Sequence, residues 1–177
     1  MDKGIIWIDL ETTGLDPLVD NILEIAVVVT DPELRVEGVY QSIIKPDENS
    51  LIDMSLKVAE MHTRNGLLDE LHKGISAKDS SEQIVLMFQT MNIRPMSFPM
   101  AGNSIHFDRS FLQVHMLPVN TYCSRRNIDV SSLAEMGKLW YPDAMKDEPV
   151  KKKHHRALED IQESIEQMRF LKERLIK

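Results

Sequence analysis

Two different spacings of apolar residues divide the chain. Residues 4–11 (GIIWIDLE) and Ile22 to Thr30 (ILEIAVVVT) are almost continuous apolar runs rich in β-branched side chains, the pattern of buried strands. Asp31-Pro32-Glu33 is a turn signal, and 34–45 then alternates as a third strand, so the three read as an antiparallel meander. Helical spacing takes over at about 51–61, 66–73 and 81–93, the last opened by a capping box Ser80-x-x-Gln83. A short strand at 98–102 (FPMAG) leads into a helix beginning near 105–108, and residues 126–130 (RNIDV) give a final strand. Ser132-x-x-Glu135 opens a helix through about Tyr141, and 142–154, with Pro142, Pro149 and a lysine run, reads as a loop. The last helix is marked by a stripe of Leu158, Ile161, Ile165, Met168, Leu171 and Leu175. Strands first, then strands alternating with helices, argue an α/β fold with a mixed sheet, in one domain over residues 1–177.

The first strand contains an anomaly. Asp9 and Glu11 interrupt its apolar run, and a strand points residues i and i+2 to the same face. The two carboxylates would stand side by side, roughly 6–7 Å apart at Cα. Like charges this close invite a proton or a cation between them. Roughly one D-x-E arises by chance in a chain of this length, so the pair gains meaning from its setting: it ends a buried strand that runs into Thr12-Thr13-Gly14.

Two further groups of acidic residues follow. Asp108 comes shortly after Gly102-Asn103-Ser104, in the first turn of a helix, where the helix dipole alone would favour a carboxylate. His155 and Asp160 lie five residues apart and cannot share a helical face, which puts His155 in the loop before the last helix and Asp160 on the border of its apolar stripe. Asp9, Glu11, Asp108 and Asp160 are hard oxygen donors of the kind Mg²⁺ or Mn²⁺ prefers, and two such ions would formally balance them. Paired ions about 4 Å apart support in-line phosphoryl displacement. A histidine of near-neutral pKa is suited to take the proton of an attacking water.

Overall charge narrows the partners. The net charge of −7 and pI near 5.4 argue against coating long nucleic acid but leave room for a small anionic substrate held through cations. One cysteine, Cys123, excludes an internal disulfide and fits a reducing compartment. No apolar run approaches the ~20 residues of a membrane span and no leader is recognisable, so the expectation is a cytoplasmic protein without a membrane partner.

These motifs resemble a known family. Asp9-x-Glu11 in WIDLETTGLD, Asn103-x4-Asp108, and His155-x4-Asp160 in HRALEDIQESI are similar to the three exonuclease motifs of the DEDD superfamily, in its histidine-bearing branch. More narrowly, ILEIAVVVTD, EMHTRNGL, IDVSSL and HRALEDIQESI resemble the oligoribonuclease family, 3′→5′ exoribonucleases of very short RNA. The resemblance implies a ribonuclease H-like fold, a mixed five-stranded sheet flanked by helices, and a homodimer. It implies Asp9, Glu11, Asp108 and Asp160 as ligands of two Mg²⁺ or Mn²⁺ ions and His155 as general base. It also implies Leu15 as a wedge against a base, His62 at a base-contacting position, and Ser104, Arg126, Ser131 and Ser132 around the 5′ phosphate of a dinucleotide. Guanidinium forks fit phosphate oxygens, and serines at helix starts offer hydroxyls and free backbone N–H groups.

The chain departs from the family pattern in two places. Ser55-Leu56-Lys57-Val58 holds no aromatic residue where the family usually has one, and Arg125 replaces a tyrosine that reaches the partner subunit. These changes bear on dinucleotide preference and the dimer contact, not on the carboxylates. The competing readings are a broader exonuclease on single-stranded DNA or RNA 3′ ends, a phosphatase using the same carboxylates, and an inactive nuclease fold serving as a binding module.

Overall fold

The computed structural model describes residues 3–46, 48–150, 152 and 155–175. Strands β1 (Ile5–Thr12), β2 (Ile22–Thr30) and β3 (Val36–Ile43) form the antiparallel meander that the apolar runs predict. Helices α1 (Glu48–Ile52), α2 (Leu56–Arg64), α3 (Leu67–Glu70) and α4 (Ala77–Thr90) follow, then β4 (Met100–Gly102), α5 (His106–His115) and α6 (Leu117–Tyr122). Strand β5 (Asn127–Asp129), α7 (Val130–Trp140) and α8 (Ala157–Leu175) complete the order. The sheet runs β3-β2-β1-β4-β5, with β4 parallel to both β1 and β5. This is the mixed five-stranded sheet of the expected fold class.

Alternation along β1 decides which face holds what. Ile6, Ile8 and Leu10 enter one core with Val27, Val29, Phe88, Phe98 and Phe111, roofed by α4, α5 and α6. Trp7 enters the other with Val28, Ala134, Ile161, Ile165 and Leu171 beneath α7 and α8, and its indole N–H donates to the Thr30 hydroxyl at 3.0 Å. Asp9 and Glu11 follow Trp7 on the α8 face, as the two-residue period requires. The ladder shifts register between Glu11 and Thr12, a bulge where the strand leaves the sheet.

Several helix boundaries differ from expectation. The apolar stretch at 51–61 is broken after Ile52, and Ser55 restarts it as the N-cap of α2 by accepting from Val58 N at 3.4 Å. The stretch at 66–73 ends in a 3₁₀ turn over Leu71–Lys73. Ser76, not Ser80, caps α4: Ser80 is buried and its hydroxyl accepts from Tyr40, which also donates to Gln83. Helix α7 is capped by Asp129 in place of Ser132, because the carboxylate at the end of β5 already reaches the N–H groups of Ser131 and Ser132. The short α6, with Pro118 in its first turn, was not expected from spacing. Between 142 and 154 no described residue is in a helix or strand, and Lys151, Lys153 and His154 lie outside the described residues. No described helix is long and apolar enough to cross a membrane.

Candidate active site

Four acidic residues from three distant segments meet at one end of β1. Strand β4 runs parallel beside β1, pairing Trp7 with Ala101, and so carries the turn at 103–105 and the start of α5 alongside the acidic strand end. Gly102 is required there: a Cβ on it would lie 2.8 Å from the Ile8 carbonyl oxygen. Asp108, in the first turn of α5, is buried and accepts a hydrogen bond from the Leu10 backbone N–H at 3.0 Å. From the opposite side, Glu11, His155 and Asp160 each bring one possible ligand atom within 4.8 Å of one another.

The electrostatics record the crowding. Burial, then the charges of Asp108, Glu11, Asp160 and Glu24, push the Asp9 carboxyl well above its usual range. Burial raises Glu11 to about 8, with Asp160, Glu24 and Asp108 adding to it and Arg156 opposing. Burial also raises Asp108 to about 8, against the backbone hydrogen bonds that favour its charged form. The largest charge felt by Asp9 is that of Asp108, and the largest felt by Glu11 is that of Asp160. Asp9, Glu11, Asp108 and Asp160 thus act on one another as one cluster, with the imidazole of His155 beside Glu11 and Asp160. A set of hard oxygen donors that crowd one another until they resist ionisation fits divalent cations better than it fits an apoprotein.

A fifth carboxylate escaped the reading of the sequence. Glu24 is 0 % exposed and pairs directly with Glu11 across β1 and β2. It accepts from Arg156 Nε at 3.1 Å, Gln41 Nε2 at 2.7 Å and Ala157 N at 3.2 Å. Arg156 also donates to Glu70 Oε2 at 2.7 Å, and these two carboxylates raise its pKa further. The signal was present: Glu24 is a lone acid in ILEIAVVVT, as anomalous as Asp9 in its own strand.

The remaining expected site residues fall in three places. Leu15 is 82 % exposed at the tip of the loop after β1. With Lys57, Arg64, Asn65 and His155 it lines an open hollow of about 1100 Å³ beside the carboxylates. Ser104 and Ser131 meet where β4 and β5 end: Ser104 N donates to Ser131 Oγ and to Asp129 Oδ1, both at 3.1 Å, and Ser131 Oγ donates to Asn103 Oδ1 at 3.0 Å. Ser132 is one residue on, and Arg126 is exposed just before β5. The expectation of free N–H groups is corrected here, because those of Ser131 and Ser132 are spent on Asp129.

His62 is corrected as well. Its ring is 0 % exposed, with Nε2 3.0 Å from the Thr12 carbonyl oxygen and Nδ1 3.8 Å from Glu11 Oε2. Burial lowers its pKa, so the neutral ring donates to Thr12 and forms a wall behind Glu11.

Comparison with known proteins agrees with this architecture. The Exonuclease family model matches residues 6–168. The chain is 43% identical over 173 residues to the oligoribonuclease of Cutibacterium acnes, covering 97% of this chain and 86% of that protein. It is 41% identical over 175 residues to the oligoribonuclease of Streptomyces griseus, covering 98% and 87%. Among solved structures, it superposes on E. coli exonuclease I in complex with a 5cy-dA13 oligonucleotide with a TM-score of 0.76 at 16% identity, covering 98% of this chain but 41% of that one. Exonuclease I from Methylocaldum szegediense gives 0.74 at 21% identity, with 99% and 41% covered. At such identities the structural likeness speaks for the fold alone, and the chain spans about two-fifths of those longer enzymes. Full-length relatedness of the sequence, on a sheet that gathers the acidic residues at one strand end, leads to one assignment: the chain belongs to the exonuclease family, and within it to the oligoribonucleases.

Proposed function

We propose that the protein is a single-domain, metal-dependent 3′→5′ exoribonuclease that hydrolyses short oligoribonucleotides, down to dinucleotides, to nucleoside 5′-monophosphates. The observation that carries this reading is the convergence of Asp9, Glu11, Asp108 and Asp160 with His155 beside an open hollow. Mg²⁺ or Mn²⁺ would be held by those four carboxylates, whose four charges two such ions would formally balance. Bound there, divalent ions supply Lewis-acid charge for an in-line phosphoryl displacement.

The chain's own groups account for the rest. His155 is within reach of the acidic cluster and accepts the proton of the attacking water. Leu15, exposed at the loop tip, wedges against a base of the substrate. Ser104, Ser131, Ser132 and Arg126 form a compact corner for the 5′ phosphate, the guanidinium supplying two parallel donors. One charged corner in place of a long basic groove accords with a net charge of −7. A homodimer and a cytoplasmic location belong to the same reading. Arg125, which borders a hollow of about 400 Å³ with Met96 and Gln113, stands where the partner subunit is expected to approach.

The test is hydrolysis of a labelled RNA dinucleotide, a longer RNA and a single-stranded DNA of equal length, with and without Mg²⁺ or Mn²⁺. Metal-dependent release of nucleoside 5′-monophosphate, fastest on the dinucleotide, is the expected result. Equal rates on all three would favour the broader exonuclease, and release of inorganic phosphate would reveal a phosphatase.

A further inference from the structure

His155 has an uncommon backbone conformation. Its φ is +53°, in the left-handed region, which costs a non-glycine residue free energy that its surroundings must offset. It precedes α8 without belonging to it, so no helical hydrogen-bond ladder fixes its orientation. Two contacts do. The side-chain amide of Asn65, at the C-cap of α2, donates to the His155 carbonyl oxygen, while Asn65 Oδ1 accepts from Leu67 N at 3.0 Å and ties the amide to the start of α3. The next residue, Arg156, is anchored to Glu24 through Nε and Nη2 at 3.1 Å and to Glu70 at 2.7 Å. Glu24 in turn is fully enclosed and fixed in the sheet opposite Glu11.

We propose that Asn65 and the Glu24–Arg156 pair are positioning residues for His155, a clamp that holds His155 and Arg156 against the sheet and the α2–α3 turn so that the imidazole faces the carboxylates. The clamp rests on the reading of His155 as proton acceptor. It ties that group to the strand carrying Glu11 and not only to its own helix, so imidazole and acidic cluster share one frame. A rigid group of this kind acts on turnover through His155: partners that orient a catalytic or ligating side chain typically cost about 10- to 100-fold in function when changed.

Asn65→Asp provides a nearly isosteric test, since it keeps the acceptor toward Leu67 and turns the donor facing His155 into a second acceptor. With an RNA dinucleotide and Mn²⁺, kcat is expected to fall about tenfold or more, with Mn²⁺ affinity changed less than about twofold. Arg156→Lys, which retains charge but loses the fork, is expected to give a smaller loss in the same direction. The decisive measurement is made in a His155→Ala background, where adding Asn65→Asp is expected to cause no further loss, because a residue acting through His155 has nothing left to position. An equal fold-loss in both backgrounds would overturn the clamp in favour of a general structural role. Full activity of Asn65→Asp beside a slow His155→Ala enzyme would overturn the clamp alone, whereas full activity of His155→Ala would remove the proton-acceptor reading beneath it. Thermal melting of each variant separates these results from misfolding, and Asn65, on a partly exposed turn, keeps the test decisive where Arg156→Lys does not fold.

Discussion

Glu11 and Glu24 face one another across β1 and β2, yet the chain's nearby guanidinium goes to Glu24. Arg156 forks onto Glu24 and opposes the raised pKa of Glu11 only through its field. Two buried acids at one register position thus receive opposite treatment. One is paired with a guanidinium; the other is left among carboxylates, which is the arrangement the proposed cations would balance.

This arrangement makes metal-free stability fall as pH rises. Glu11 and Asp108 have ordinary values of 4.5 and 3.8 but titrate at about 8 in the folded chain. Between those limits these two groups bind more protons in the folded state than in the unfolded one, so their contribution to stability is fullest below about pH 4 and is lost as pH climbs toward 8. The loss is at most about 1.4 kcal/mol per pH unit for each group. Melting with a chelator present is expected to give a falling Tm from pH 5 to pH 8. Added Mg²⁺ or Mn²⁺ should restore stability, with the larger gain at the higher pH. A flat profile without metal would contradict the crowding.

Replacing Asp9 by Asn should separate stability from activity. Asn removes one charge from a cluster in which Asp108, Glu11, Asp160 and Glu24 all disfavour ionised Asp9. Metal-free Tm at pH 8 is therefore expected to hold or rise. Hydrolysis should fall by about three orders of magnitude, because Lewis-acid stabilisation is worth several kcal/mol. Calorimetric titration with Mn²⁺ should show weakened binding. A variant that is both less stable without metal and fully active would argue that Asp9 serves folding instead.

How far the sequence could be read follows from the range of each interaction. The two-residue period of a strand is local, so Asp9 and Glu11 could be placed on one face from spacing alone, and they are. Glu24 was equally visible as an intruder, but its meaning depends on the register between β1 and β2, which no local pattern carries. The parallel docking of β4 against β1, which delivers Asp108, is likewise a long-range event. Helix starts misread by a turn, at Ser80 and Ser132, show side-chain caps losing to better-placed competitors, Ser76 and Asp129. His62 went astray because a motif carries no burial: the same ring could line a hollow or stand behind Glu11.

The loop after β1 offers a test of substrate positioning. Leu15 is presented by a frame in which Asp20 Oδ1 accepts from Thr13 Oγ1 at 3.0 Å and Oδ2 accepts from Asp16 N at 2.9 Å. His115 adds a bond to the Pro17 carbonyl at 3.0 Å. Asp20→Ala removes both carboxylate bonds without touching the acidic cluster. KM for a dinucleotide is expected to rise about fivefold or more while saturated turnover changes little, since orientation of an apolar contact is lost and the chemistry is not. Steady-state kinetics would check this, and a selective fall in kcat would detach the loop from binding.

Gly102→Ala tests whether the join between β1 and β4 sets the chemistry. The added methyl would sit 2.8 Å from the Ile8 carbonyl oxygen and 3.0 Å from Ile105 Cδ1. The side chain of Ile105 can rotate away, but the Ile8 oxygen is backbone in a central strand and cannot move without displacing the ladder. Relief must come from β4 moving outward, and β4 leads into α5, whose Asp108 is held by the Leu10 N–H at 3.0 Å. Overpacking of this kind typically costs about 1–3 kcal/mol, which urea denaturation would read as a lowered midpoint. Activity is expected to fall further than stability explains, because a carboxylate displaced by even about 1 Å loses productive geometry. Below the unfolding transition, where nearly every molecule is still folded, a variant with the lowered midpoint and an intact turnover number would show that Asp108 is positioned by α5 and Leu10 alone, independently of this strand contact.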